Sequence, residues 1–247
     1  MPSTFVLVHG HWHGAWAWDV LAPALVRRGH VVRAVQLPSD RLECGAAANA
    51  EAIIDAARDL PDDAIFVGHS AGGLSIPIVA RRRPVGGLVF VAAILAQPGM
   101  SLLGQVAVEP DLAVPGFTWI ERADGLLDID SAVARRAFFH DCDAATADAA
   151  VKQLRLQTER TIIEITPLDE WPDVPCAAIT CRRDRVVGPE WQRRAAIERL
   201  RVEPIELDSG HSPALSHPRE LADALELAVE RIVRARSWPA AASASSA

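Results

Sequence analysis

The sequence predicts an α/β fold: a mostly parallel sheet with helices on both faces and a mainly helical cap insertion. Three observations carry that expectation. Short, wholly apolar runs such as Phe5-Val6-Leu7-Val8 and Ala64-Ile65-Phe66-Val67 read as parallel strands covered on both sides. These runs alternate with stretches of helical spacing along most of the chain. From about residue 97 to residue 168 the alternation stops, and no strong strand pattern is present. With 247 residues, half of them hydrophobic, the chain is long enough for one sizeable core. The expected organisation is a core from 1–96 and 169–236, a cap insertion from 97–168, and a small polar tail, 237–247, expected to be disordered.

The first strand, 5–8, runs into a glycine-punctuated loop, His9-Gly10-His11-Trp12-His13-Gly14. Residues 18–28 follow as a helix that Gly29 stops. The second strand spans 30–37 and ends at Pro38. Helical spacing returns over 49–59, and Pro61-Asp62-Asp63 turns into the strand at 64–67. A helix over 71–83 comes next, with Pro77 inside it expected to remove a hydrogen bond and kink it. A strand over 88–95 closes the first half. Within the insertion, 131–139 and 144–157 read as helices. The core resumes with a strand over 175–180, a helix over 190–200, a short strand over 202–207 and a closing helix over 218–236.

Composition excludes several function classes. Net charge is −7 and the basic residues are scattered. Arg81-Arg82-Arg83 reads as a solvated helix end, so no nucleic-acid partner is expected. The cysteines Cys44, Cys142, Cys176 and Cys181 form no Cys-x-x-Cys pair. Cys176 and Cys181 lie five apart on one expected strand and point to opposite faces, so free thiols and a cytoplasmic location are expected. The N-terminus has no basic stretch ahead of its short apolar run, and no apolar run reaches membrane-spanning length. Neither a signal peptide nor a membrane partner is expected.

The chemistry centres on Gly68-His69-Ser70-Ala71-Gly72, a G-x-S-x-G motif between an apolar strand and a helix-compatible segment. In such a turn the serine sits in strained backbone, and the flanking glycines leave room for strand and helix to close up. Ser70 is the candidate nucleophile. A serine hydroxyl needs a base. Of eight histidines, His211 fits best: it follows a late strand, in a Gly-containing loop, last in chain order. The orienting acid should follow the preceding strand, where Asp184 lies. Asp208 is expected to end its own strand, and Asp169 and Asp173 precede a strand at the wrong edge. Two backbone amides should form an oxyanion hole, those of Ala71 and His11. His9 reads as structural and His69 as shaping the turn; His13 is either a substrate contact or a support for Trp16. The i, i+2, i+4 spacing of His9, His11 and His13 would suit a metal in a strand, but no carboxylate or cysteine nearby completes the set. No metal is therefore expected. Gly10, Trp12, His13, Trp119 and Phe138 are the candidate substrate contacts.

These residues together resemble the α/β-hydrolase superfamily, in particular its branch of plant methylesterases (salicylate-binding and methyl-jasmonate type) and hydroxynitrile lyases. The resemblance is carried by Phe5-Val6-Leu7-Val8-His9-Gly10, His13-Gly14-Ala15-Trp16, Gly68-His69-Ser70-Ala71-Gly72-Gly73, the Asp184 loop with Glu190-Trp191-Gln192, and Gly210-His211-Ser212. It implies an α/β-hydrolase fold, Ser70 as nucleophile, His211 as base, Asp184 as acid and no cofactor. The implied substrate is a small-molecule ester, and the implied assembly is a monomer or homodimer. Hydroxynitrile lyases of this branch carry a Thr after the first-loop His and a Lys after the catalytic His; here these are Gly10 and Ser212. That favours ester hydrolysis over cyanohydrin cleavage. Two other readings use the same residues: a lyase or cyclase with His211 as a plain base, and a ligand receptor with a vestigial triad.

Overall fold

The computed structural model describes residues 2–237; the expected disordered tail, apart from Ser237, lies outside the described residues. In chain order the first half holds β1 (Thr4–Val8), α1 (Leu21–Arg27), β2 (Val31–Val35), α2 (Ala46–Ala56), β3 (Ile65–His69), α3 (Ile76–Arg82) and β4 (Gly87–Val91). The segment that follows holds α4 (Leu102–Val108), β5 (Ile120–Glu121), β6 (Leu126–Asp128), α5 (Ser131–Phe138), α6 (Ala144–Gln153), β7 (Gln157–Thr158) and α7 (Arg160–Ile163). The chain closes with β8 (Cys176–Cys181), α8 (Pro189–Ala195), β9 (Ile205–Leu207), α9 (Pro213–Ser216) and α10 (Pro218–Ser237).

Six strands form one sheet in the order β2-β1-β3-β4-β8-β9, every neighbouring pair parallel. The register levels Val8 with Gly68, His69 with Val91, and Cys181 with Leu207. The loops after β1, β3, β8 and β9 therefore leave from one edge. Strand order reverses between β1 and β3, which opens the crevice where sheets of this kind take ligands.

Alternation along the buried strands builds a core on each face. Phe5 and Leu7 join Ile65 and Val67 against Leu21 and Leu25 of α1 and Leu221, Leu225 and Ala228 of α10. Val6 and Val8 join Phe66 against Ile53 of α2, Val79 of α3 and Trp191 of α8. Each such side chain contributes roughly 1.5–3 kcal/mol by leaving water. A third cluster, with Trp12, Leu127, Phe138, Phe139, Ala147 and Ile162, joins the β4–β8 segment to the loop after β1.

Several expected elements differ in detail. Residues 15–18 form a separate 3₁₀ turn, so α1 starts at Leu21 rather than Trp18. Ser70–Leu74 is likewise a 3₁₀ turn, and the helix restarts at Ile76. Pro77 thus falls in a first turn, where an N–H donor would have had no intrahelical acceptor, and produces no kink of the expected kind. Strand β4 stops at Val91: the Ala92 amide still donates to the Ile179 carbonyl of β8 at 2.9 Å, but its φ of +44 turns the chain out of the extended conformation. The last helical turn after α8 is a π turn, Ala196–Leu200, ended by Arg201 at φ +57. The segment between β4 and β8 is not free of strands: β5, β6 and β7 pair antiparallel. Strands of two or three residues are too short for a period-two pattern to register.

All four cysteines are free thiols. Burial pushes the thiol pKa of Cys142 and Cys176 up to about 12, and raises those of Cys44 and Cys181 as well. Among the described residues, no helix is long and apolar enough to cross a membrane.

Candidate active site

The sharp exit from β3 puts Ser70 at φ +52, a conformation that costs a non-glycine residue roughly 1–3 kcal/mol. His69 before it is extended, at φ −93 and ψ 134. A Cβ on Gly68 would lie 2.9 Å from backbone atoms of Gly72 and Gly73, and one on Gly72 would lie 2.7 Å from the Val8 carbonyl. Both glycines therefore leave the room that the motif requires.

Ser70 Oγ lies 3.0 Å from His211 Nε2. His211 Nδ1 lies 2.8 and 3.0 Å from the two Asp184 carboxylate oxygens. A carboxylate accepts only, so Nδ1 carries the proton and Nε2 is left to accept from the Ser70 hydroxyl. All three side chains are buried. Asp184 is held from four sides. Oδ1 accepts from the Val186 and Val187 amides at 2.8 and 3.1 Å, and Oδ2 accepts from Gln192 Nε2 at 2.8 Å. The arginines beside Asp184 in sequence do not neutralise it; Arg182 and Arg183 pair instead with the exposed Asp208. The sequence assigns Gln192 no role of its own beyond the family resemblance. It bridges the acid loop and β8, since its Oε1 also accepts from the Cys181 amide at 3.1 Å. A buried glutamine on a first helical turn has no spacing signature of its own.

The other histidines support this arrangement. His69 Nε2 donates to the His211 carbonyl at 2.7 Å, fixing the backbone of His211. His9 Nδ1 donates to the Gly10 carbonyl and its Nε2 accepts from the Leu37 amide. His13 Nδ1 donates to the His11 carbonyl, and its ring stacks on Trp16 at 5.3 Å. Burial lowers their pKa values: His9 to about 4, His13 to about 3, and His69 well below the ordinary range. His11 is lowered to about 3, again by desolvation, and its Nε2 contacts Thr161 Oγ1 of α7 at 2.8 Å. The three first-loop histidines are committed to these bonds, and among the described residues no group of histidine, cysteine and carboxylate side chains has the arrangement of a metal site.

Ser70 opens onto a cavity of about 110 Å³. Trp12, Trp119 and Phe138 line it with His11, as do Leu102, Phe117 and Ile162 from the β4–β8 segment. No charged side chain is among the lining residues. Gly10 and His13, expected as substrate contacts, do not line it. Gly10 is a glycine for another reason: a Cβ there would sit 2.6 Å from Ser70 Cβ and 3.1 Å from its Oγ. His13 is turned to Trp16 instead. Gly10→Ala is therefore expected to displace Ser70 and slow its labelling by a fluorophosphonate at least about 10²-fold, because a 1 Å misplacement costs that much. Unchanged labelling would show that the nucleophile tolerates the contact.

The amides expected as oxyanion donors are those of His11 and Ala71. Among the described residues no backbone acceptor takes the N–H of His11 or of Ala71. The loop holding His11 is itself strained, with Trp12 at φ +59 and its carbonyl accepting from the Arg155 amide.

The model of the Alpha/beta hydrolase family matches residues 5–224. The chain belongs to the alpha/beta hydrolase family. Within that family it is similar to Methylesterase 17 of Arabidopsis thaliana, 28% identical, covering 88% of each chain. It is also similar to Alpha-hydroxynitrile lyase of Arabidopsis thaliana, 26% identical, covering 90% of this chain and 95% of that one. Among solved structures it is similar to polyneuridine aldehyde esterase, with a TM-score of 0.77 and 22% identity over 92% of this chain and 99% of that one. This alpha/beta hydrolase is thus similar to plant methylesterases, and carries the mostly parallel sheet expected of the family.

Proposed function

We propose that the protein is a serine carboxylic ester hydrolase acting on a small to medium, uncharged, hydrophobic ester. One observation carries the reading: the hydroxyl hydrogen-bonded to His211 Nε2 is the same one that opens onto the apolar cavity. In this mechanism His211 takes the proton of Ser70 as Oγ attacks the ester carbonyl, and Asp184 stabilises the imidazolium that forms. The tetrahedral oxyanion accepts from the His11 and Ala71 amides. His211 then protonates the leaving alcohol, and water, deprotonated by the same histidine, releases the acid from the acyl-enzyme. The chain's own residues supply each of these steps. The β4–β8 segment serves as the cap, with Trp12, Trp119 and Phe138 as acyl or alcohol contacts.

The test is a p-nitrophenyl ester chain-length series read for burst kinetics. Activity on short to medium acyl groups, with a pre-steady-state burst, is the expected result. An ester with a free carboxylate on its acyl chain, such as the hemisuccinate, is expected to show a kcat/KM at least about 10²-fold below the butyrate, because no cation awaits the buried charge. Cyanohydrin cleavage without any ester turnover would replace the esterase reading by the lyase one.

A further inference from the structure

We propose that His140 and Asp141 are positioning residues that set the separation of Asp184 and His211. The two are adjacent in sequence, between α5 and α6, and each grips the residue just ahead of a member of the Ser70 site. His140 Nε2 donates to the carbonyl of Arg183 at 2.9 Å, next to Asp184. Asp141 Oδ2 accepts from the amide of Gly210 at 2.6 Å, next to His211. One dipeptide thus holds the acid loop and the base loop together.

The fit around Gly210 is close. A Cβ there would lie 2.6 Å from Asp141 Oδ1 and 2.6 Å from His140 Nε2. Only glycine lets both side chains reach the loop. The loops are also tied directly, through the Arg183 amide to the Ser209 carbonyl at 2.9 Å. Asp141 is the less expected of the pair, because its side chain is only 4% exposed and its Oδ1 has no hydrogen-bond partner among the described residues. His217 Nδ1 lies 3.4 Å from Asp141 Oδ2, and its Nε2 in turn approaches Arg183. A buried carboxylate is costly unless its bonds do something a neutral residue cannot. Here its charge-assisted bond fixes the backbone that carries His211. His211 must hold 3.0 Å to Ser70 and 2.8 Å to Asp184 at once. A shift of about 1 Å would cost on the order of 10²-fold in rate.

The inference rests on the esterase reading only for the rates it predicts, so the test has a readout without substrate. The downfield proton resonance of the His211 Nδ1–H, recorded on the unliganded full chain, reports its bond to Asp184. Asp141→Leu should broaden or abolish it. Asp141→Asn should keep it, since the amide oxygen still accepts from Gly210. On a short p-nitrophenyl ester, Asp141→Leu should lower kcat about 10–100-fold with KM within about twofold, and Asp141→Asn should restore kcat to within about fivefold. A wild-type resonance and kcat in folded Asp141→Leu, with only a lowered thermal midpoint, would overturn the proposal. Should Asp141→Leu fail to fold, His140→Ala frees the Arg183 carbonyl and is expected to lower kcat alone about tenfold; an unchanged kcat and resonance would overturn it equally. Wild-type protein that turns over no ester sinks the esterase reading, and the resonance then decides the positioning role by itself.

Discussion

Ser70→Ala is expected to lower kcat on p-nitrophenyl esters by at least about 10⁴-fold and to remove the burst, with the thermal midpoint shifted by only a few degrees, up to about 4 °C. The large effect follows from losing the one hydroxyl that faces both His211 Nε2 and the cavity. The small effect follows from the backbone. Alanine keeps the Cβ that makes φ +52 costly, so the strain at the turn is unchanged. Ser70→Gly separates the two contributions. Glycine ordinarily costs roughly 0.5–1 kcal/mol through chain entropy, yet at this φ it removes a strain of roughly 1–2 kcal/mol. It should therefore be at least as stable as Ser70→Ala in urea while equally inactive. A Ser70→Ala variant that keeps its burst would remove Ser70 as the nucleophile.

Acidification should destabilise the protein steeply. His9, His11, His13 and His69 are desolvated and neutral, with His9 lowered to about 4 and His11 and His13 to about 3. In the unfolded chain each titrates near 6.5. Between about pH 6.5 and pH 4 the unfolded state therefore binds about four protons that the folded state refuses, and stability rises with pH across that window. It is fully present above pH 6.5 and is lost as the pH falls toward 4. Four protons correspond to about 5 kcal/mol per pH unit where the slope is steepest, against a typical total of about 5–15 kcal/mol. Urea midpoints measured from pH 7.5 to 4.5 should fall sharply below pH 6. A flat profile down to pH 5 would mean these imidazoles are charged or solvated in the folded state.

The core strands and the order Ser70, Asp184, His211 could be read in the sequence for the same reason. A strand covered on both faces carries an unbroken apolar run through most of its length, and the next loop then lies at the sheet edge. β1, β3 and β8 all follow this rule. What stayed hidden lacks such a pattern. β5 and β7 are two residues each. Gln192 and Asp141 are single buried polar side chains whose partners include backbone groups on other elements, at Cys181 and Gly210. Gly10 shows the limit from the other side. A glycine beside a candidate nucleophile reads alike whether it admits a substrate or makes room for the Cβ of Ser70. Pro77 looked like an interior kink because sequence spacing runs straight through the break between the 3₁₀ turn and α3.

The four free cysteines bear on how the protein can be handled chemically. A thiol attacks electrophiles as its thiolate, and burial has suppressed that form at every cysteine. A sulfonyl fluoride or fluorophosphonate added near pH 7.5 should accordingly modify one group per chain, with no thiol-blocking step. Intact-mass titration then becomes a direct count of competent molecules in any preparation. A single cysteine engineered on an exposed helix would accept a maleimide dye without competition from the native four.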